Sequence, residues 1–124
     1  MDLKLKNKII IVSGGSSGIG RGISISLAKE GAIPYILGRN KANIVSVISE
    51  IEKSGGQAGY AFAELTNPEQ CKEAVDSCIS RFGRIDGLVN NAGVNDSVGL
   101  EAGNHDDFMK SISRNLTHYY MMAH

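Results

Sequence analysis

Glycine and serine residues are concentrated in one short segment near the N-terminus, and this composition suits phosphate binding. The segment lies between an apolar run at residues 9–12 and an amphipathic stretch that opens at residue 19. Where a strand turns directly into a helix, the first N–H groups of the helix are unpaired and carry the positive end of its dipole. Glycines keep such a turn tight and let a pyrophosphate approach the backbone. The sequence therefore predicts a nucleotide site, with a tight turn that binds nothing as the alternative, and its candidate residues are Ser13, Gly14, Ser16, Ser17, Gly18, Ile19 and Gly20.

The end of the second predicted strand carries another candidate binding residue, Arg39. NAD-selective folds of this kind place an acid there for the ribose 2′-hydroxyl, whereas a base accommodates the 2′-phosphate of NADP. No carboxylate is present over residues 35–40, and an arginine offers a permanently charged donor fork. Ser16 and Ser17 could add hydroxyl donors. Arg39 therefore favours NADP over NAD as the cofactor, unless it is a solvated arginine in a loop.

A third candidate segment follows the fourth predicted strand, where residues 87–93 read Gly-Leu-Val-Asn-Asn-Ala-Gly. Small residues at the carboxyl end of a strand let a flat ring or a sugar lie against the backbone, and asparagine side chains can brace the turn. We predict that Asn91, Ala92 and Gly93 contact the cofactor. A simple Asx turn is the alternative.

Apolar periodicity predicts that strands and helices alternate along the whole chain. Such alternation implies right-handed crossovers and a parallel sheet, here in the order 3-2-1-4. The fold class is therefore α/β: a Rossmann-type, doubly wound parallel sheet truncated after its fourth strand, with residues 1–124 as the dinucleotide-binding part of one domain. The strands are predicted at residues 8–13, 33–38, 57–64 and 87–90, and the helices at residues 18–30, 41–54, from Asn67-Pro68 to about 82, and from about 104 to the C-terminus.

The same periodicity yields finer predictions about the helices. Gln70, three residues after the cap Asn67, stands where a capping box would place a Glu or Gln. Cys71 and Cys78 lie seven residues apart on one predicted helix, about 10.5 Å between Cα atoms, which is too far for a disulfide and favours buried thiols. The predicted apolar stripes are Ile19, Ile23, Leu27 and Ala28 in the first helix, and Phe108, Ile112, Leu116, Tyr119 and Tyr120 in the last.

Composition excludes several classes of protein. The 124 residues are 42% apolar, and their 13 basic and 13 acidic side chains cancel, which argues against a nucleic-acid or anionic-membrane partner. The N-terminus is too polar for a signal peptide, and no apolar run approaches the length of about 20 residues that spans a bilayer, so we expect a cytoplasmic protein. The histidines at positions 105, 118 and 124 show no ligand-like pairing, so no metal site is predicted.

Taken together, these segments closely resemble the short-chain dehydrogenase/reductase family. Its Thr-Gly-x-x-x-Gly-x-Gly motif matches residues 13–20, with Ser13 in place of Thr, and its Asn-Asn-Ala-Gly motif matches residues 90–93. The resemblance implies that Glu64, at the place of the family's usual Asp, holds the adenine ring together with Leu65. It also implies that Asn115 is the asparagine of the catalytic tetrad. The implied activity is hydride transfer between NADP or NAD and a hydroxyl or carbonyl substrate, in a homo-oligomer such as a dimer or tetramer.

Within the family, finer features are similar to bacterial L-fucose dehydrogenases. The matching stretches are residues 31–34, 64–66, 93–96 and 115–124. The resemblance implies that the substrate is a sugar such as L-fucose, oxidised at its anomeric carbon to a lactone.

The family's catalytic Tyr-x-x-x-Lys is not found in this sequence, because its four tyrosines are followed four residues later by Arg39, Glu64, Ala123 and His124. Two interpretations follow. In the first, the chain is part of a longer dehydrogenase, as an ending inside an amphipathic helix without a stop signal suggests. In the second, it is a non-catalytic nucleotide-binding or interaction module.

Overall fold

The computed structural model describes residues 2–93 and 103–124, without the side chains of residues 114, 115, 118 and 119. Strands and helices alternate in chain order, as the apolar periodicity predicts. The strands are β1 (Ile9–Ser13), β2 (Ile33–Gly38), β3 (Gly59–Phe62) and β4 (Gly87–Asn90), and the helices are α1 (Gly18–Lys29), α2 (Lys41–Lys53), α3 (Pro68–Phe82), α4 (His105–Ile112) and α5 (His118–Ala123), with a π-helical segment at Ser113–Thr117 between the last two.

The strands form one parallel sheet in the order β3-β2-β1-β4, which confirms the predicted Rossmann-type topology. Ser13 pairs with Leu37 on one side and with Asn90 on the other, so the carboxyl ends of β1, β2 and β4 meet at the same edge of the sheet. The residues that directly follow these three strands therefore lie at that edge, and so do those that follow β3, because Gly38 at the end of β2 pairs with Phe62 at the end of β3. This edge is where ligands bind in doubly wound sheets.

The core lies on both faces of the sheet because β1 is apolar at every position but its last. Successive side chains of a strand point to opposite faces. Ile9 and Ile11 pack in a cluster with buried residues of α3 and with Met122 of α5, whereas Ile10 and Val12 pack toward α1. Helices α1 and α2 thus cover one face of the sheet, and α3 and α5 cover the other.

The ends of most elements follow from local sequence signals. Asn67 accepts hydrogen bonds from the first turn of α3, and Pro68 begins that helix as predicted. Gly31, Gly55 and Gly83 take left-handed conformations just past the ends of α1, α2 and α3. Strand β3 is shorter than the predicted residues 57–64, since only Gly59–Phe62 pair with β2.

The predicted capping box at Gln70 is wrong. Its side-chain oxygen accepts from the backbone N–H of Glu64 at 2.7 Å instead of from that of Asn67. The N–H of Asn67 is already bound to the carbonyl oxygen of Glu64 at 3.0 Å, so it offers no donor to Gln70. The glutamine therefore fixes the loop after β3 rather than the end of α3.

The last predicted helix is interrupted, and most of its predicted apolar stripe lies outside the core. Phe108, Leu116 and Tyr120 are exposed, whereas Met122 is buried against the sheet; the side chain of Tyr119 lies outside the described part. A π-helical turn closes hydrogen bonds five residues apart instead of four. The segment Ser113–Thr117 therefore shifts the α-helical spacing, and another side of α5 faces the core.

The two cysteines are free and buried in α3, as predicted. Burial raises the pKa of the Cys78 thiol to about 11, and burial followed by the negative charge of Glu64 raises that of Cys71. Both thiols are therefore protonated at neutral pH and serve as small core residues.

Candidate nucleotide-binding site

The turn between β1 and α1 leaves the N-terminus of α1 open. Ser17 occupies the N-cap position with extended backbone, but its side chain makes no capping hydrogen bond, and the first turn of α1 has no acidic residue. Helices α2, α3 and α4 each begin with an asparagine that caps the first turn: Asn40, Asn67 and Asn104. The N–H groups at the start of α1 are thus left for an anionic partner.

Two glycines of this turn are required because other parts of the backbone pass too close to leave room for a Cβ. Gly14 has a φ of +67°, and a Cβ there would lie 2.9 Å from the Cα of Ala92. A Cβ on Gly20 would overlap the carbonyl oxygen of Gly14 and come within 2.5 Å of Nδ2 of Asn91. Real Cβ atoms are not found at such separations from backbone. Gly14 and Gly20 therefore let three segments of the chain meet at the sheet edge.

Hydrogen bonds tie this turn to the segment after β4. The Ser13 hydroxyl oxygen accepts from the backbone N–H groups of Asn91 at 3.0 Å and Ala92 at 3.2 Å. The side-chain amide of Asn91 in turn donates to the carbonyl oxygen of Gly14 at 3.2 Å. The asparagine thus braces the β1–α1 turn, 77 residues away in sequence.

Replacing Ser13 with alanine tests this link. The hydroxyl is fully buried, and its loss leaves two part-buried backbone N–H groups without an acceptor. We expect the free energy of unfolding, measured by urea titration, to fall by about 1–3 kcal/mol. Ser17→Ala is the matched control, because the Ser17 side chain is exposed and makes no capping hydrogen bond. This substitution should change the free energy of unfolding by less than about 0.5 kcal/mol. Equal effects of the two substitutions would contradict this role for Ser13.

A groove of about 760 Å³ runs along the carboxyl edge of the sheet. It joins the open N-terminus of α1 to the ends of β2 and β3, and to the segment after β4. Eleven of its lining residues are candidates from the sequence: Gly14, Ser16, Ser17, Gly18, Ile19, Arg39, Glu64, Leu65, Asn91, Ala92 and Gly93. The structure thus brings the three candidate segments into one groove.

The remaining sequence candidates have other positions. Ser13 and Gly20 lie behind the groove and hold its wall, through the hydrogen bonds and the close approach described above. Ile19 is 80% exposed, which corrects its predicted place on the buried stripe of α1. Ile19 lines the groove instead, where no core residue covers its side chain.

Sequence reasoning missed several lining residues: Leu37, Gly38, Asn40, Asn43, Ala63 and Thr66. Leu37 and Ala63 are buried at the strand ends and form the floor, and their position next to Arg39 and Glu64 could have indicated them. Asn43 follows the cap of α2, and its backbone N–H donates to the side chain of Asn40 at 3.0 Å. Only the fold shows that the first turn of α2 borders the same groove.

The end of the groove beside the carboxyl ends of β2 and β3 holds an ion pair. Nη1 of Arg39 lies 2.9 Å from Oε2 of Glu64, and the two side chains are 69% and 36% exposed. The other carboxylate oxygen of Glu64 accepts from the hydroxyl of Thr66 at 3.0 Å and from its backbone N–H at 3.3 Å. Burial raises the pKa of Glu64, but the hydrogen bonds from Thr66 and Arg39 outweigh it and hold this pKa below its usual value. Glu64 is therefore ionised at neutral pH.

The one predicted catalytic residue, Asn115, is not among the described residues that line the groove. The backbone of Asn115 lies in the π-helical segment Ser113–Thr117, and its side chain is outside the described part, so its catalytic role stays a prediction. π-helical turns occur frequently at functional sites. The stretch at residues 94–96, one of those similar to L-fucose dehydrogenases, also lies outside the described residues.

Within residues 2–93 and 103–124, no group of three acidic, histidine or cysteine side chains is arranged to hold a metal ion. In the same part of the chain, no helix has the length and apolarity that a membrane span needs.

The chain belongs to the short chain dehydrogenase family, whose model matches residues 8–124. It is similar to the 7alpha-hydroxysteroid dehydrogenase of Clostridium sardiniense, with 36% identity over 123 residues that cover 97% of this chain and 47% of the relative. The solved structure of Cj0485 dehydrogenase superposes with a TM-score of 0.87 at 38% identity, over 99% of this chain and 46% of the other. An NADH-dependent reductase A1-R′ complexed with NAD gives a TM-score of 0.90 at 28% identity, over 99% of this chain and 52% of the other. The chain spans about half the length of the curated relatives it matches.

Proposed function

We propose that this chain binds the ADP part of NADP or NAD for a short-chain dehydrogenase that transfers hydride to or from a hydroxyl or carbonyl substrate. The observation that carries the proposal is the uncapped N-terminus of α1, which opens into a groove that reaches the ion pair of Arg39 and Glu64. Residues 1–124 are proposed to form the dinucleotide-binding part of a single Rossmann domain.

The chemistry of the groove fits a dinucleotide. Its middle offers unpaired N–H groups beside Gly18, which suit a pyrophosphate. The end of the groove near Arg39 and Glu64 has an apolar floor at Leu37 and Leu65 and polar groups at its mouth, which suit a purine ribonucleoside. The segment after β4, with Ala92 and Gly93, would leave room for the second nucleoside. The bound cofactor would supply the hydride acceptor or donor.

We propose NADP as the preferred cofactor because Arg39 is the one cation among the described residues that line the groove. The first turn of α2 lies beside it, with Asn43 on the groove. A 2′-phosphate there would meet the guanidinium, the amide of Asn43 and the positive end of the α2 dipole. The NAD complex of the reductase above supports a nicotinamide cofactor without deciding between the two forms.

Replacing Arg39 with glutamine tests the proposal. A charge-assisted hydrogen bond contributes about 1.5–3 kcal/mol, so we expect NADP to bind roughly ten- to a hundredfold more weakly, with NAD affinity within about threefold of the wild type. Calorimetric titration with both cofactors measures this.

Lys53→Gln is the matched control for the lost charge, because Lys53 is exposed in the last turn of α2, away from the groove, and does not line it. It should leave the ratio of the two affinities unchanged. Equal weakening of NADP and NAD by Arg39→Gln would contradict the assignment to the 2′-phosphate, and no binding of either cofactor to the wild type would contradict the proposal itself.

The substrate proposal rests on family resemblance. We propose a small alcohol or carbonyl compound, such as L-fucose, and the similarity to a 7alpha-hydroxysteroid dehydrogenase adds a steroid alcohol as the competing candidate. Asn115 is the tetrad residue proposed within this chain, and the Tyr-x-x-x-Lys motif does not occur in its sequence. Assays of L-fucose and a 7α-hydroxysteroid with both cofactors distinguish the two substrate classes. A cytoplasmic homo-oligomer is proposed with this activity.

The alternative function is a non-catalytic nucleotide-binding or interaction module. It is favoured by the exposed apolar side chains on α4 and after it: Phe108, Met109, Leu116 and Tyr120. An apolar face of this kind commonly marks an interaction surface. Nucleotide binding without turnover, together with concentration-dependent association in sedimentation, would support the module, whereas turnover of an alcohol would exclude it.

A further inference from the structure

The charges of the groove are balanced before any nucleotide binds. Among its described lining residues, Arg39 and Glu64 are the only charged side chains, and they are paired with each other at 2.9 Å. A 2′-phosphate carries between one and two negative charges near neutral pH. It would therefore meet a guanidinium that is already neutralised by a carboxylate beside it.

The two partners of this pair are held very differently. One carboxylate oxygen of Glu64 accepts two hydrogen bonds from Thr66. The backbone N–H of Glu64 donates to the side-chain oxygen of Gln70 at 2.7 Å. Arg39 has the more exposed side chain, and the hydrogen bond described for its guanidinium is the one to Glu64. The carboxylate is therefore the fixed partner, so a 2′-phosphate must either share the guanidinium or draw it away.

We infer that Glu64 weakens the binding of a 2′-phosphate by pairing with Arg39, and so sets how strongly the site distinguishes NADP from NAD. The inference rests on the proposed nucleotide function of the groove. Glu64 acts here through Arg39 and is a specificity-determining residue, in addition to the adenine contact that the family resemblance implies for it.

The substitution Glu64→Gln tests the inference because glutamine keeps the length of the side chain and an oxygen for the bonds from Thr66, but removes the charge. The probes are 2′,5′-ADP, which carries the extra phosphate, and 5′-AMP, which does not. We expect the ratio of their affinities to move toward 2′,5′-ADP by roughly three- to tenfold, as fits the loss of one competing charge at an exposed site. Taking the ratio cancels any change in adenine binding.

Two further variants separate a pairing effect from a general charge effect. Glu69→Gln removes one negative charge from the exposed first turn of α3, outside the groove lining, and should leave the ratio unchanged. In an Arg39→Gln background, Glu64→Gln should change the ratio by less than about twofold, since the partner through which it acts is gone.

The outcomes distinguish this inference from the function on which it rests. If 5′-AMP binds but Glu64→Gln leaves the ratio unchanged or lowers it, the inference is overturned and the nucleotide site stands. An equal shift with Glu69→Gln, or an undiminished shift in the Arg39→Gln background, also overturns it. If neither nucleotide binds the wild-type protein, both the inference and the proposed function are overturned.

Discussion

Replacing Gly20 with alanine is expected to abolish nucleotide binding and to lower the free energy of unfolding by about 3 kcal/mol or more. The added Cβ would overlap the carbonyl oxygen of Gly14 and would lie 2.8 Å from its carbonyl carbon. Neither atom belongs to a flexible side chain, so the β1–α1 turn itself must move. Because Asn91 bonds to the same carbonyl, the wall formed by the segment after β4 would move with it.

Gly22→Ala is the matched control, two residues further along α1. A Cβ on Gly22 meets no atom within 4 Å, and its φ is not in the left-handed region. Alanine is the better helix former, so this variant should gain about 0.5–1 kcal/mol and keep its nucleotide affinity. Thermal unfolding and cofactor titration of both variants provide the measurement. Nucleotide binding that survives in Gly20→Ala would show that the turn does not need this close approach.

The second large effect is expected from Leu37→Ala, at the carboxyl end of β2. Leu37 is fully buried, packs with the cluster under α3, and also forms part of the groove floor. Truncation of a buried leucine to alanine lowers the free energy of unfolding by about 2–5 kcal/mol, because apolar burial is lost and a cavity remains. We expect a loss of that size in urea unfolding.

Ile19→Ala provides the contrast, because Ile19 lines the same groove but is 80% exposed. It should change the stability by less than about 0.5 kcal/mol and weaken nucleotide binding several-fold, since a bound ligand would cover the side chain. A large loss of stability in Ile19→Ala would contradict the described position of this residue. An unchanged stability of Leu37→Ala would contradict the described core.

Local signals in the sequence were sufficient for most of the fold. The apolar run of β1 predicts a strand buried on both faces, and Asn67-Pro68 predicts the start of α3, because each signal acts within a few residues of the backbone it shapes. The strand order also follows, since alternating strands and helices have few ways to form a parallel sheet.

Predictions failed where a residue had a choice of partners. Gln70 has the position of a capping residue, but the N–H of Asn67 is bound to the carbonyl oxygen of Glu64, and Gln70 accepts from the N–H of Glu64 instead. Tyr120 belongs to the predicted apolar stripe of the last helix, but it is exposed and Met122 of α5 is buried instead, because the π-helical segment before α5 changes which side of that helix faces the core. In both cases the pattern was correct for an isolated helix, and neighbouring segments decided the outcome.

The sequence by itself determined the α/β class, the strand order and the three segments that line the groove, because these depend on periodicity and on the backbone freedom of glycine. Only the tertiary structure decided how those segments meet. The bond between Asn91 and Gly14 and the pairing of Arg39 with Glu64 join residues 77 and 25 positions apart. The carboxyl ends of parallel strands converge at one edge of a sheet, so side chains that no local spacing relates come within hydrogen-bond distance there.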